Sequence, residues 1–237
     1  MTDGGLVGLD ATIERRGLRD HVYERILQLL LSGEASPGAR LSIDTIARQL
    51  NVSPTPVREA MVQLERTGLV TREALKGYRV APPLGLAQLQ ELFDARIMLE
   101  SRAARLATPA SEAMLDELRV AEEDHRRIGE RVITTLRAAA TDVELTTAYF
   151  QADAAFHRVV FGHCGNRYLT EMSESLGAQL HRMRQSAEHG VTDVREAIAE
   201  HEAIVDAFAS GDPDAPEELM RHHIEQVRAR SLDLEQS

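Results

Sequence analysis

Several residue types that stabilise secreted proteins or anchor membrane proteins are scarce in this 237-residue chain. Tryptophan is absent, and the one cysteine, Cys164, has no second cysteine in the chain to pair with, as expected for a protein of a reducing compartment. No apolar run approaches the length needed to span a bilayer, and residues 1–10 lack a basic segment followed by an apolar core. We therefore expect a cytoplasmic protein with neither a secretory signal nor a membrane partner.

Positive charge is also in deficit, since 27 basic residues stand against 38 acidic ones and the formal net charge is −11. The deficit is uneven along the chain. Residues 1–83 carry 11 basic and 10 acidic residues, whereas residues 84–237 carry 16 and 28. Because phosphate contacts are local, a nearly neutral segment can bind nucleic acid when its arginines share one surface. The overall acidity therefore does not exclude DNA binding by the first segment.

A pattern of helix, corner, helix and hairpin occupies residues 37–80. Ser42 and Ser53 are each placed to cap a short amphipathic helix, and two prolines in the first turn of the second helix are tolerated there. Gly68 follows that helix as a left-handed terminal residue would, and Gly77 lies in a turn between two short strands. The strands are predicted at residues 69–73 and 78–82. This order is the plan of a winged helix-turn-helix, which lays its second helix in the DNA major groove.

The residues of this segment are more specific to one family than its order of helices and strands. Residues 52–60 read VSPTPVREA, are followed by Leu64-Glu65 and Gly68-Leu69-Val70, and resemble the recognition helix of GntR-family bacterial transcription regulators. With the PGARL stretch at 37–41 in register, the resemblance covers nearly all of residues 18–82. A homodimer on a short palindromic operator in double-stranded DNA is expected, because one winged helix reads only a few base pairs. The DNA-binding residues that the resemblance indicates are Ser53, Thr55, Arg58, Lys76 and Gly77.

One position departs from the family's pattern. Many GntR regulators have an arginine between the serine and the threonine of the recognition turn, where this chain has Pro54. The change removes one side chain that could read guanine and leaves Arg58 as the principal candidate. Ser53 and Thr55 are expected to meet phosphates or base edges. In the wing, Lys76 and the glycine after it are expected to approach the backbone or the minor groove.

The remainder of the chain is predicted to be helical, with no strand pattern or internal repeat after residue 83. Helices are expected near residues 86–107, 111–136, 143–163, 166–187, 192–209 and 214–234. The fold class is therefore mainly α: an N-terminal winged helix-turn-helix with a small β-hairpin wing, and a C-terminal all-α bundle of six or seven helices. The expected boundaries are a mobile tail at 1–17, a DNA-binding domain at 18–82 whose first helix begins near residue 18, a linker at 83–85, and a helical domain at 86–235.

Helical phase places one acid and three histidines on apolar faces of this bundle. Asp153 and His157 are four residues apart and share one stripe, while His201 and His223 lie on the apolar stripes of two later helices. His222 is turned about 100° away from its neighbour and should lie outside. A buried carboxylate is costly unless it is paired or bound to metal. One anionic oxygen with three imidazole nitrogens suits Zn²⁺, and also Ni²⁺, Fe²⁺ or Mn²⁺.

Three segments resemble the FCD effector domain of the FadR-like GntR branch. They are DAAFH at 153–157 with Gly165-Asn166 after it, Glu200-His201, and MRHH at 220–223. Metal-binding members of that branch use an Asp and three His in this order. The resemblance therefore implies one divalent metal per chain, with Zn²⁺ first among the choices. Its ligands would be Asp153, His157, His201 and His223.

Arg96 is a further inward polar residue, with Glu100 one helical turn away. From the residues alone it is either half of an intrahelical ion pair at the helix edge or a guanidinium that holds a carboxylate with two parallel donors. FCD domains place an arginine of this first helix in the effector cavity, and Arg96 occupies the matching place. The resemblance thus implies a small organic-acid effector that contacts the metal and Arg96.

Three functions are compatible with these features. The first is a transcriptional regulator, expected to be a repressor, whose operator binding responds to the effector. The second is a metal-dependent hydrolase with an accessory winged helix, although the chain has no HExxH motif and no nucleophile elbow. The third is a protein-interaction module in which the metal is structural. We expect the regulator, and not an enzyme.

Overall fold

The structure, a computed structural model, describes residues 10–31, 34–73, 77–137, 142–185 and 193–235. The chain divides into two compact units, the first ending at Pro83 and the second beginning at Leu84. None of the helices in these ranges combines the length and apolarity that a bilayer span requires.

The first unit is a winged helix-turn-helix. Its small antiparallel sheet has the strand order β1-β3-β2, in which Arg40 pairs with Arg79 and Val70 with Val80. The two-residue strand β1 was not predicted; it adds an outer strand to the predicted hairpin. The elements in chain order are α1 (Asp10–Leu31), β1 (Arg40–Leu41), α2 (Ile43–Leu50), α3 (Pro54–Arg66), β2 (Val70–Glu73) and β3 (Gly77–Val80).

Local signals explain where α2 and α3 begin and end. The Ser42 hydroxyl accepts a hydrogen bond from the Thr45 backbone N–H at 3.3 Å, as an N-cap should. Asn51 then adopts a left-handed conformation with φ of 53°, which turns the chain toward α3. Ser53 occupies the N-cap position of α3, as predicted, but its side chain makes no capping hydrogen bond. Gly68 has φ of 74° and ends the segment as predicted.

The apolar face of α3 packs against α1. Val57 and Met61 are fully buried on α3, and Val22 and Ile26 are nearly so on α1. This packing turns the opposite face of α3 toward solvent, where residues that could meet DNA remain accessible.

Two expectations for this unit need correction or fall outside the described residues. Helix α1 begins at Asp10 and not near Leu18, so the predicted tail at 1–17 is helical from residue 10 onward. The intervening sequence contains no proline and only Gly17 as a weak point, and one glycine costs a helix only about 1 kcal/mol. Residues 1–9 and Lys76 lie outside the described residues.

The second unit is an all-α bundle, as predicted. Helix α4 packs against α9, while α5 packs against α6 and α8. An apolar core cluster with members on α4, α5, α6, α8 and α9 includes Phe93, Phe156, Ile204 and Ile224, all at zero exposure. The predicted break at Gly190 lies outside the described residues. Its six described helices are α4 (Leu86–Leu106), α5 (Glu112–Arg137), α6 (Val143–His163), α7 (Arg167–Gln185), α8 (Val194–Ser210) and α9 (Ala215–Glu235).

Candidate metal centre and DNA-binding surface

The four predicted metal ligands meet inside the helical unit. Helix α6 carries Asp153 and His157 one turn apart, α8 carries His201, and α9 carries His223. All four are buried, and one ligand atom from each lies within 4.8 Å of the other three. His222 is exposed, as its helical phase predicted.

The spacing of these atoms suits a divalent ion. The Nε2 atoms of His201 and His223 are 3.3 Å apart. Oδ1 of Asp153 lies 3.6 Å from Nε2 of His201 and 3.8 Å from Nε2 of His157. At zinc–nitrogen distances of 2.0–2.1 Å, tetrahedral ligands lie about 3.4 Å apart and neighbouring octahedral ligands about 3 Å apart. The four atoms are therefore close enough to share one ion.

The protonation of the buried imidazoles also suits a ligand role. Burial lowers the pKa of His201 well below its usual value, and the neighbouring His223 lowers it further. Burial likewise lowers the pKa of His223, although a hydrogen bond to Glu200 opposes the shift. Neutral imidazole is the form that binds metal. Within the described residues, Nε2 of His157 is buried without a hydrogen-bond partner, which a metal ion would supply.

Behind His157 stands a buried carboxylate on another helix. Oε2 of Glu100, on α4, lies 2.6 Å from Nδ1 of His157, although the N–H is not well aligned with this oxygen. Oε1 of Glu100 accepts a hydrogen bond from Nε of Arg96 at 2.7 Å. Burial alone would raise the pKa of Glu100, but the charges of Arg96 and His157 outweigh it and hold the pKa at about 2.

A matching carboxylate stands behind His223. Nδ1 of His223 and Oε2 of Glu200 form an aligned hydrogen bond at 2.7 Å. Arg230, on α9, donates to both oxygens of Glu200, at 2.7 and 3.0 Å, and to Asp193 at 2.8 Å. Burial would raise the pKa of Glu200, yet the hydrogen bonds from His223 and Arg230 lower it to about 2.

His201 is held differently. Within the described residues its Nδ1 has no hydrogen-bond partner, and its ring stacks on Phe156 with centroids 4.0 Å apart and planes 13° apart. The ring of His125, on α5, lies 4.6 Å from that of His201 and 4.7 Å from that of Tyr149. His125 is fully buried and was not identified from the sequence.

Arg96, the predicted effector contact, is 2% exposed. Its pair with Glu100 is intrahelical, as one interpretation expected, but it lies in the interior and not at a helix edge. Among the described residues its Nη1 is a buried donor without a partner. Arg96 therefore combines an ion pair with a spare donor in the interior of the unit.

The candidate DNA-binding residues lie on the first unit. Ser53, Thr55 and Arg58 are exposed at the N-terminal half of α3, and Gly77 is exposed at the start of β3. Arg58 forms no salt bridge with any residue that the structure describes. It lines a surface groove with two arginines that the sequence interpretation had not singled out, Arg19 and Arg66.

A winged helix-turn-helix followed by a separate all-α domain is the architecture of a DNA-binding regulator with a second domain. Residues 18–80 match the model of the "Bacterial regulatory proteins, gntR family", and residues 91–226 match that of the FCD domain. The chain therefore belongs to the GntR family of transcription regulators and carries an FCD effector domain.

Relatives share both halves of the chain. A Streptomyces ambofaciens HTH-type regulator encoded in an unstable DNA locus is 30% identical, over 91% of this chain and 89% of its own. A Paenarthrobacter nicotinovorans protein, named as a "Probable D-xylose utilization operon transcriptional repressor", is 29% identical over 91% of both chains. The solved structure of E. coli McbR/YncC, 23% identical, covers 91% of this chain and 97% of its own with a TM-score of 0.74, a likeness of fold. The relatives are transcription regulators and not enzymes, so the hydrolase alternative is set aside.

Proposed function

We propose that the protein is a homodimeric repressor that binds a short palindromic operator and responds to a small carboxylate held at a metal site in its FCD domain. The observation that carries this proposal is the buried set of one acid and three histidines with the spare Arg96 donor in the same unit. Repression is the function that the Paenarthrobacter relative is named for. Such a regulator acts in the cytoplasm, where bacterial DNA is found.

DNA binding rests on the exposed N-terminal half of α3. One winged helix reads only a few base pairs, so two copies related by a two-fold axis are needed to read a palindrome. Arg58 is exposed and outside any described salt bridge, so its guanidinium is available to a base edge. Ser53 and Thr55 lie within the preceding turn and suit phosphate or base contacts. Lys76 and Gly77 are proposed as wing contacts to the backbone or minor groove.

Charge inside the helical unit favours an anionic ligand. Asp153 neutralises half of the charge of a divalent ion, and neutral histidines leave the rest, so the site keeps about one positive charge. Arg96 and Glu100 cancel each other as a buried pair. One negative charge on the ligand therefore balances the site, and a monocarboxylate fits better than a dicarboxylate. Zn²⁺ is the proposed ion, with Ni²⁺, Fe²⁺ and Mn²⁺ as alternatives that the same ligands accept.

The DNA part is tested with Arg58→Ala in a mobility-shift titration at fixed salt. We expect specific affinity to fall by tenfold or more, because one good base contact contributes about 1–3 kcal/mol of discrimination. Arg25→Ala is the control, since Arg25 is exposed on α1 and bonded to Gln28 of the same helix. Equal affinity of the Arg58 variant and the unmodified protein would contradict the assignment.

The effector part is tested by thermal shift with small mono- and dicarboxylates, using metal-loaded and chelator-stripped protein. A ligand that binds only the folded state raises its stability by mass action. We expect a monocarboxylate to stabilise the loaded protein, and to lose that effect when the metal is removed or Arg96 is replaced by alanine. Stabilisation that survives both changes would place the ligand elsewhere.

A further inference from the structure

Two of the three candidate histidine ligands are backed by the same kind of partner. His157 meets Glu100, which Arg96 holds, and His223 meets Glu200, which Arg230 holds. The described residues thus contain two Arg–Glu–His relays, one between α4 and α6 and the other between α8 and α9. In the part of the chain that the structure describes, Nδ1 of His201 has no such carboxylate, and the ring stacks on Phe156.

The direction of each contact determines which nitrogen faces the ion. In both relays the carboxylate lies at Nδ1, at 2.6 Å for His157 and 2.7 Å for His223. An ionised carboxylate accepts a hydrogen bond and cannot donate one, so the aligned bond at His223 selects the neutral tautomer that carries its proton on Nδ1. At His157 the N–H is less well aligned, but the carboxylate charge 2.6 Å from Nδ1 favours the same tautomer. The lone pair is then on Nε2, the atom that faces the other ligands in both residues.

The arginines hold the carboxylates in place. Arg230 donates two parallel N–H groups to the two oxygens of Glu200, a geometry that fixes both the position and the orientation of the carboxylate. Its third bond, to Asp193, ties this relay to the start of α8. Arg96 holds Glu100 through one nitrogen only.

We infer that Glu200, gripped by Arg230, and Glu100, gripped by Arg96, are the positioning residues that preset His223 and His157 for metal binding. This inference rests on the metal site of the proposed function. It assigns roles to Glu100, Glu200 and Arg230 beyond those of the ligands themselves. Partners of this kind raise ligand basicity and fix ring orientation, and their loss typically costs 10–100-fold in metal affinity.

The Glu200 relay offers the cleaner test, because Glu200 and Arg230 are partly exposed and their replacement leaves no charge deep in the core. Zn²⁺ affinity is measured by competition with a chromophoric chelator for Glu200→Ala, Glu200→Gln and Arg230→Ala. The matched control is Glu202→Gln. Glu202 follows His201 in the sequence as Glu200 precedes it, and its substitution removes one charge at an exposed position of the same helix.

We expect Glu200→Ala to weaken Zn²⁺ binding by 10–100-fold and Glu202→Gln by less than threefold. Glu200→Gln should recover part of the loss, because an amide oxygen still accepts the Nδ1 hydrogen bond without the charge. The visible absorption bands of the Co²⁺-loaded protein should change in Glu200→Ala and stay unchanged in the control. A purely structural role would not produce this rescue or this spectral difference.

A double-mutant cycle tests whether the relay acts as one unit. The double variant should lose clearly less Zn²⁺ affinity than the product of the fold-losses of Glu200→Ala and Arg230→Ala, because both substitutions remove the same support of His223. Glu100→Gln should weaken binding independently of both, since it acts through His157. The inference would be overturned if the free-energy effects of Glu200→Ala and Arg230→Ala were fully additive, or if the Glu200→Ala variant bound Zn²⁺ as tightly as the unmodified protein. Failure of the unmodified protein itself to bind metal would overturn the proposed metal site as well.

Discussion

Gly129 offers a test of the helix packing around the candidate site, because alanine at this position should destabilise the protein. Gly129 is buried on α5, one turn after His125. A Cβ atom there would lie 2.8 Å from Cγ1 of Val194, 2.9 Å from Cδ1 of Ile198 and 3.3 Å from Cε2 of Tyr149. Favourable carbon contacts lie at about 3.5–4.0 Å, so at least two neighbouring side chains must move.

The magnitude follows from two opposing terms. Alanine within a helix gains roughly 0.5–1 kcal/mol over glycine. An extra methyl group forced into a packed interior typically costs 1–3 kcal/mol. Val194 is stiff because it is β-branched, whereas Ile198 meets the methyl group only with its terminal atom, so we expect a mid-range cost. The net result should be a loss of about 1 kcal/mol, or about 2–4 °C in the melting temperature of a domain of this size.

The assay is thermal unfolding followed by circular dichroism, with Gly177→Ala as the matched control. Gly177 is an exposed helical glycine in the same unit, and a Cβ there would have no neighbour within 4 Å. The control should therefore gain roughly 0.5–1 kcal/mol from helix propensity alone. The two substitutions should shift the melting temperature in opposite directions. If Gly129→Ala stabilises as much as Gly177→Ala, α5 does not approach α6 and α8 as closely as the structure indicates.

Two paired substitutions test the ligand register and the helix caps. His223→Ala should strip the metal from purified protein and His222→Ala should not, as measured by elemental analysis; equal loss would contradict the phase of α9. Ser42→Ala should cost about 1 kcal/mol in chemical denaturation, because its hydroxyl caps α2. Ser53→Ala should cost less than half as much, because the Ser53 side chain makes no capping bond. Equal costs for the two serines would refute that distinction.

The candidate ligands could be found from the sequence because their helices have large apolar residues at regular intervals. On α6, Tyr149, Phe156 and Val160 mark the buried stripe clearly, and Asp153 and His157 fall between them in phase. The winged helix could be found for a similar reason, since its breaks fall at residues with distinctive backbone preferences. In both regions the residue pattern along the chain indicates the same buried face and the same helix ends that the packed structure shows.

His125 escaped detection because the buried stripe of α5 is made of atypical residues. After Leu118 the stripe continues through Ala121, His125 and Gly129 to Val132, so two small residues and a histidine replace large apolar ones. A hydrophobicity pattern scores such a stripe as weak. The helical spacing of three, four, four and three residues from Leu118 to Val132 was nevertheless present, and a search for small residues in helical phase would have found it.

The sequence suggested the Arg96–Glu100 pair, but the contacts of Glu100 and Glu200 with histidines on other helices were beyond sequence pattern alone. Glu200 precedes His201 in the chain, yet it supports His223 on another helix, and the arginine that grips it lies 30 residues further on. Helical phase predicts which face a side chain occupies but not which helix that face meets. The partner of a polar residue therefore depends on the helix packing order, here the contact of α8 with α9.

The buried relay gives a physical reason to expect the effector and the metal to affect each other's binding. Among the described residues Arg96 donates a hydrogen bond to Glu100 and keeps one buried donor, Nη1, without a partner. An anion that took this donor would share the guanidinium with Glu100, and Glu100 in turn contacts His157. Any shift of that carboxylate changes how firmly a metal ligand is held. Because such coupling is reciprocal in free energy, metal should tighten effector binding by the same factor by which effector tightens metal binding. The partly exposed Arg230 relay has no comparable buried donor among the described residues, so the linkage should pass through α4 and not through α9.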